Sequence, residues 1–284
     1  MVNYNGTFLE KDSNFFNQSN RAFLHGDVLF EQVRAVNGSI IFWEEHYFRL
    51  MAGMRILRME IPMSFTMEFL ESEILNLLNS SNLLQSSSLI TIGIFRNTNR
   101  ELTLSSNEVS YVIDASQLES PFYILNENPY EIELFRDYFV NEDMLSQLST
   151  NNKTIEVIAD IFARENGFSD CFLLNTSKNV VRTIFGTIFL VKGQKIKTPP
   201  LSDGVENTVM RRKLMEIIHA LDGYEIEEIS ISPFELQKAD EIFVLNIALG
   251  IQPITKYRKK HFENKIAKDL LGKLNANARL ASLK

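Results

Sequence analysis

Cysteine is almost missing from this chain. Cys171 is the only one in 284 residues, so no disulfide can form within one molecule, and a reducing compartment, the cytoplasm, is the expectation. Cys171 sits between Asp170 and the apolar Phe172-Leu173-Leu174, the setting of a small buried strand residue and not of a nucleophile. Long apolar runs are missing too. No stretch approaches the ~20 residues needed to cross a bilayer. Met1-Val2-Asn3-Tyr4-Asn5-Gly6 has neither the basic region nor the apolar core of a signal peptide. Histidine is scarce, and His46, His219 and His261 are scattered without metal spacing or a cysteine partner. The Gly-rich phosphate loops of nucleotide enzymes are absent. A formal charge of −7 excludes a general nucleic-acid binder. The one basic concentration, nine Lys/Arg between Lys256 and Lys284 against Glu263 and Asp269, reads as the solvated face of a terminal helix.

What is present is enough for a sizeable core: 45% of the residues are hydrophobic and 23% charged, an ordinary globular balance. Residues 28–36, the Asn37-Gly38 pair and residues 39–43 read as a hairpin, because Asn-Gly tolerates the positive φ angles of a tight turn. A helix opens at Glu44, with Tyr47, Leu50, Met54 and Leu57 at helical spacing, and stops at Pro62. A second helix carries Met67, Leu70, Ile74 and Leu77 on one face, and strands follow over 89–95 and 109–115.

The polar, proline-containing stretch 116–129 is the candidate linker. The expected division is a smaller α/β domain over 1–117, a linker over 118–130 and a larger domain over 131–284. In the larger part the pattern predicts a strand over 131–139 and a helix over 154–165 with Ile155, Ile158, Ile161 and Phe162 inward. Strands follow around Phe172, over 184–191 and at Ile196, with a turn at Lys192-Gly193-Gln194-Lys195. A helix over 209–221 aligns Met210, Leu214, Ile217, Ile218 and Leu221. A strand over 241–245 and a last helix burying Phe262, Ile266, Leu270 and Leu274 complete the set. The fold class is α+β in two domains.

Several motifs stand together along most of the chain. His25-Gly26-Asp27-Val28-Leu29-Phe30-Glu31-Gln32-Val33-Arg34 is similar to a Tyr-Gly-Asp-x-x-Phe-Glu-Thr-x-Arg strand. Glu44-Glu45-His46-Tyr47-Phe48-Arg49-Leu50 matches a Glu-x-His-x-x-Arg-Leu helix. Leu148-Ser149-Thr150-Asn151-Asn152-Lys153 is followed by Gly167 and a strand at Cys171. Ile196-Lys197-Thr198-Pro199-Pro200-Leu201-Ser202-Asp203-Gly204 carries a Thr-Pro-Pro-Leu-x-x-Gly frame, and Asp240-Glu241-Ile242-Phe243 precedes Gly250-Ile251-Gln252-Pro253-Ile254. Together these resemble the class IV aminotransferases, the fold-type IV family that uses pyridoxal phosphate and includes branched-chain aminotransferases and aminodeoxychorismate lyases. The resemblance implies a two-domain fold-type IV architecture and a homodimer.

It also implies a changed cofactor site. In the family's Leu-Lys-Thr-x-Asn segment the lysine carries the cofactor covalently as an imine, and here Ser149 falls on that position. Arg182 stands where a glutamate pairs with the pyridine nitrogen; its guanidinium is expected to repel a protonated ring. Thr187 replaces an asparagine. Thr208-Val209-Met210-Arg211 replaces a Gly-Ile-Thr-Arg turn whose backbone N–H groups hold phosphate. Leu245 replaces a hydroxyl residue before Asn246. Arg49, at the family's phosphate-contacting arginine, and Arg34 are retained, while His25 and Gln32 replace tyrosine and threonine on the substrate side. The Gly-Gly-x-Tyr loop reads Thr98-Asn99-Arg100-Glu101-Leu102. Lys153 is the next amine, but four extended residues span ~13 Å, so it reads as a solvated lysine at a helix start. No Gly-x-Ser-x-Gly elbow surrounds Ser149. From these departures no cofactor is expected, and the protein reads as a ligand- or partner-binding homologue that has lost catalysis. Its partner would be a second copy, an active paralogue or a small anionic metabolite, with no nucleic acid and no membrane. The alternative is an active pyridoxal phosphate aminotransferase or lyase with an altered cofactor site.

Overall fold

The computed structural model describes residues 1–14, 16–97 and 100–282. Two compact units divide the chain. The first holds Met1–Pro121, Leu148–Asn152 and the residues from Ala278 onward; the second holds Phe122–Gln147 and Lys153–Asn277.

The first unit is built from β1 (Val2–Tyr4), β2 (Thr7–Leu9), α1 (Arg21–His25), β3 (Val28–Val36), β4 (Ser39–Ile40), α2 (Trp43–Ile56), α3 (Met67–Ser80), β5 (Ser87–Arg96) and β6 (Val109–Gln117). Its strands form one antiparallel sheet in the order β2-β1-β6-β5-β3-β4. Leu70, Ile74 and Leu77 of α3 are completely buried, as their spacing predicts, and pack with Leu50 and Met54 of α2 against Ile90, Ile92 and Ile113 of the sheet. Thr66 starts α3 by accepting from Phe69 N at 3.1 Å, which satisfies a first-turn donor.

Two local readings change. The strand expected over 39–43 ends at Ile40, because Phe42 takes a left-handed φ of 56° and α2 begins at Trp43. The β1–β2 hairpin is absent from the sequence reading although it carries the same signal as β3–β4: Asn5-Gly6 and Asn37-Gly38 both adopt positive φ, at 51° and 83° and at 50° and 78°. The three-residue strands that flank Asn5-Gly6 are too short to show alternation.

The second unit contains β7 (Glu131–Leu134), α4 (Thr154–Glu165), β8 (Asp170–Leu174), β9 (Val180–Thr183), β10 (Thr187–Lys192), β11 (Lys195–Thr198), α5 (Val209–His219), β12 (Glu225–Glu228), α6 (Pro233–Leu236), β13 (Glu241–Asn246), β14 (Gly250–Pro253), β15 (Lys256–Tyr257), β16 (Lys260–His261) and, as far as Asn277, α7 (Lys265–Ala281). Its sheet runs β12-β11-β10-β9-β8-β7-β15-β16, with β13 pairing both β10 and β14. Phe172, Ile188, Ile242 and Ile254 are buried at the centre of one core, and Cys171 lies buried with Phe135, Ala159, Ala163 and Leu173 in another.

The strand expected over 184–191 starts only at Thr187. Ile184, Phe185 and Gly186 form the turn from β9, closed by Thr183 N donating to Gly186 O at 2.9 Å. Gly186 is needed there, since a Cβ would lie 2.3 Å from the Leu245 carbonyl oxygen of β13. The strand expected over 131–139 stops at Leu134. Helix α4 has the expected bounds, and Ile155, Ile158 and Phe162 pack against the core as expected; Ile161 is exposed, and Glu156, Ala159 and Ala163 are the buried residues. A carboxylate at the centre of an inward face needs a cation, and that cation is Arg182.

Candidate functional site

In the first unit the segment around Ser149 is held by its backbone. Phe30 N of β3 donates to Ser149 O at 2.7 Å, and Leu29 bridges Thr150. This sets the Ser149 hydroxyl where Arg49 Nη2 donates to Oγ at 3.1 Å. Arg49 Nη1 is paired with Glu31 Oε2, and Glu31 Oε1 accepts from His46 Nδ1 at 2.6 Å. A carboxylate only accepts, so Nδ1 carries the proton of that contact. Glu31 and His46 are both about 2% exposed. The helix geometry explains the pairing: His46 and Arg49 are three residues apart on α2, hence on one face, and meet a single side chain of β3. Serine, arginine, glutamate and histidine thus form one connected cluster, in which the hydroxyl accepts a hydrogen bond from Arg49.

In the second unit three expected positions fall in one row. Thr187 of β10 is directly opposite Arg182 of β9 on one side and Leu245 of β13 on the other, and directly opposed residues share a sheet face. Arg182 was expected to present a bare guanidinium. It does not: Nη2 donates to Glu156 Oε1 at 2.6 Å, with the two side chains 11% and 9% exposed. Glu156 also lies 3.7 Å from Lys153 Nζ, which pairs with Glu206 at 2.8 Å. Lys153 is therefore a half-exposed member of a charge chain and not simply solvated. Two cations alternate with two carboxylates, so the chain is neutral. Arg182 Nε, buried, finds no acceptor among the described residues.

The other candidates are spread out. Thr208 is the N-cap of α5 and accepts from Arg211 N at 3.2 Å; Val209, the first helical residue, is buried. Asn246 shapes the β13–β14 turn by accepting from Ala248 N at 3.0 Å and Leu249 N at 2.8 Å. Buried Arg34 donates to Ser120 O at 2.6 Å. Exposed Gln32 donates to Thr91 Oγ1, its cross-strand partner, at 3.2 Å. The exposed His25 ring is 2.9 Å from Arg100 O. Thr98 and Asn99 of the neighbouring loop lie outside the described residues.

Glu31, His46, Glu156 and Glu206 were not among the candidates. Glu156 had a signal. It stands with Ala159 and Ala163 at helical spacing, a stripe visible once alanine is admitted as a core residue. A further buried acid, Asp170, pairs with no cation among the described residues. It accepts from Cys171 N at 2.7 Å, Ile184 N at 3.0 Å and Tyr130 Oη at 3.0 Å, and burial nonetheless pushes its pKa up to about 6. Burial likewise pushes the Cys171 thiol up to about 12, which rules out a ready thiolate. Among the described residues no group of three or more His, Cys, Asp or Glu could hold a metal ion, and no helix is long and apolar enough to cross a membrane.

Two sheet-containing units with these motif residues define a fold-type IV protein of the aminotransferase and lyase kind. The amino-transferase class IV family model matches residues 28–257, and the chain belongs to that family. It is 26% identical over 237 residues to aminodeoxychorismate lyase of Vibrio harveyi, covering 83% of this chain and 84% of that protein. Its fold is that of the branched-chain aminotransferase of Thermoproteus uzoniensis solved with norvaline, with a TM-score of 0.84 at 21% identity, covering 99% of this chain and 94% of that one. The branched-chain amino acid aminotransferase of Thermobaculum terrenum in its PLP form matches with a TM-score of 0.83 at 18% identity, covering 99% and 93%.

These findings overturn the expectation that no cofactor is involved: the family is an aminotransferase family, and a solved structure of the same fold is a pyridoxal phosphate holo-form. The residues present fit such a group in part. Position 149 does not fit covalent attachment, because a hydroxyl forms no imine. The second unit fits non-covalent holding. The Arg182 charge that was to exclude the ring is neutralised by Glu156, and Nε remains as a buried donor with no acceptor among the described residues.

Proposed function

We propose that this protein is a pyridoxal-phosphate-using member of the class IV aminotransferase and lyase family with an altered, non-covalent cofactor site. The observation that carries the reading is the Arg182–Glu156 pair at 2.6 Å, which removes the electrostatic objection to a pyridine ring. When bound, the cofactor supplies electron withdrawal from the α-carbon of an amino-acid substrate. Arg182 orients the ring, and the α5 N-terminus with Thr208 receives the phosphate. A second reading, a ligand-binding protein without turnover, is favoured by position 149, where a hydroxyl that accepts from Arg49 stands in place of an amine. The free, buried Cys171 suits a reducing compartment such as the cytoplasm. A homodimer, the assembly the family resemblance implies, would scatter light at twice the monomer mass.

The test is a calorimetric and absorbance titration of purified protein with pyridoxal phosphate, followed by gel filtration and borohydride reduction with peptide mass mapping. The expected result is saturable micromolar binding that gel filtration reverses, with no phosphopyridoxyl peptide. In Ser149→Lys the same treatment should label residue 149. No binding at millimolar cofactor would sink the proposal, and a stoichiometric adduct on Lys153 would replace it with a covalent one.

A further inference from the structure

Resting on the cofactor reading above, we infer that Arg182 selects a ligand ring whose nitrogen is unprotonated, a neutral aza-aromatic acceptor in place of a pyridinium. A guanidinium has donors only and cannot accept a hydrogen bond. Whatever ring atom meets Arg182 must therefore offer a lone pair. Nη2 is committed to Glu156, and Nε is buried with no acceptor among the described residues. A buried donor left unmade is costly, and a pyridine lone pair is the kind of acceptor that relieves it.

The charge count points the same way. Arg182 and Lys153 are offset by Glu156 and Glu206, so this chain of groups has no surplus negative charge with which to hold a cationic ring. Neighbours in the sheet supply none either: the row beside Arg182 offers the Thr187 hydroxyl and the Leu245 side chain, and no carboxylate. A carboxylate at position 182 would have favoured the protonated ring. The arginine, balanced from α4 by Glu156, reverses that preference.

Three probes test this on the full-length protein by calorimetry: pyridoxal phosphate, its deaza analogue with C–H in place of the ring nitrogen, and its N-methyl analogue, a permanent cation. Pyridoxal phosphate should bind roughly tenfold more tightly than the deaza analogue, the effect of one charge-assisted hydrogen bond, and the N-methyl analogue should bind weakest. The Arg182→Met, Glu156→Gln double variant, which loses the donor yet keeps the local charge balanced, should bind the first two alike. Nitrogen NMR of ring-labelled cofactor on the unaltered protein needs no variant and should show the shift of a free pyridine nitrogen at neutral pH. Equal affinity for the nitrogen and deaza forms, a protonated-nitrogen shift, or preference for the N-methyl cation overturns the inference and leaves the cofactor reading intact. Failure of pyridoxal phosphate itself to bind overturns both.

Discussion

The two ion clusters meet the same problem, burying charge, in different ways. In the first unit one carboxylate serves two partners: Glu31 accepts from His46 and from Arg49. In the second unit four groups alternate in sign, and the loss of one leaves others still paired, since Lys153 keeps Glu206 when Glu156 is gone. Glu31, His46 and Arg49 of the first cluster match the family motifs; in the second, Arg182 departs from its motif and Glu156 lies outside any. Departure there did not leave a bare charge. The strand arginine is paired with a helix glutamate, as a buried guanidinium requires, because a buried ion without its partner is strongly destabilising.

The comparison breaks first at Glu31. Glu31→Ala removes the buried carboxylate that both the Arg49 guanidinium and the His46 imidazole meet, and about 3–5 kcal/mol of stability should be lost, read as a lower urea midpoint at unchanged slope. A loss below about 1 kcal/mol would show that the cluster is solvated in practice and the comparison empty.

Asp170 extends the comparison to an acid with hydrogen bonds and no cation among the described residues. Its pKa is raised from the ordinary 3.8 to about 6, so the native state holds its proton more tightly than the unfolded chain. Stability from this group is fully present below about pH 4 and lost as pH rises to about 6. The stability of the protein relative to Asp170→Asn should therefore fall by roughly 3 kcal/mol between those limits and stay level above them. A difference that rises over this window would mean that the donors outweigh burial.

Glu156→Ala comes next, at about 2 kcal/mol, because it strands Arg182 alone. Adding Arg182→Met should recover most of the loss, and that non-additivity distinguishes a coupled pair from two independent residues. Additive losses would show that the two side chains are not coupled.

Legibility in the sequence follows the same division. Periodicity located α3 and α4 and the long strands β3, β5 and β6, because many side chains repeat the signal there. It missed β1 and β2, which are three residues each, and β15 and β16, which are two each. Motif matching placed Arg182, Thr187 and Leu245 in what proves to be one row of neighbouring strands. It gave the wrong charge for that row, because Glu156 comes from a helix 26 residues away in sequence and matches no motif. A substituted residue can be read from a motif; the partner that compensates it depends on tertiary contact.

The smallest effect tests the hinge of the comparison, Ser149. Its side chain contributes the Arg49 hydrogen bond at 3.1 Å, whereas its backbone oxygen holds the segment to β3 through Phe30 N at 2.7 Å. Ser149→Ala removes the first and leaves the second. The loss should be about 0.5–1.5 kcal/mol, with Glu31 still pairing the guanidinium. Amide exchange at Phe30 should slow or quicken only in step with that global change, since its own bond is untouched. Selective loss of protection at Phe30 would mean that the hydroxyl, and not the backbone, seats residues 148–152 against the sheet, and Ser149 would then be a structural anchor whose replacement by lysine could not restore a cofactor bond without first remaking the segment.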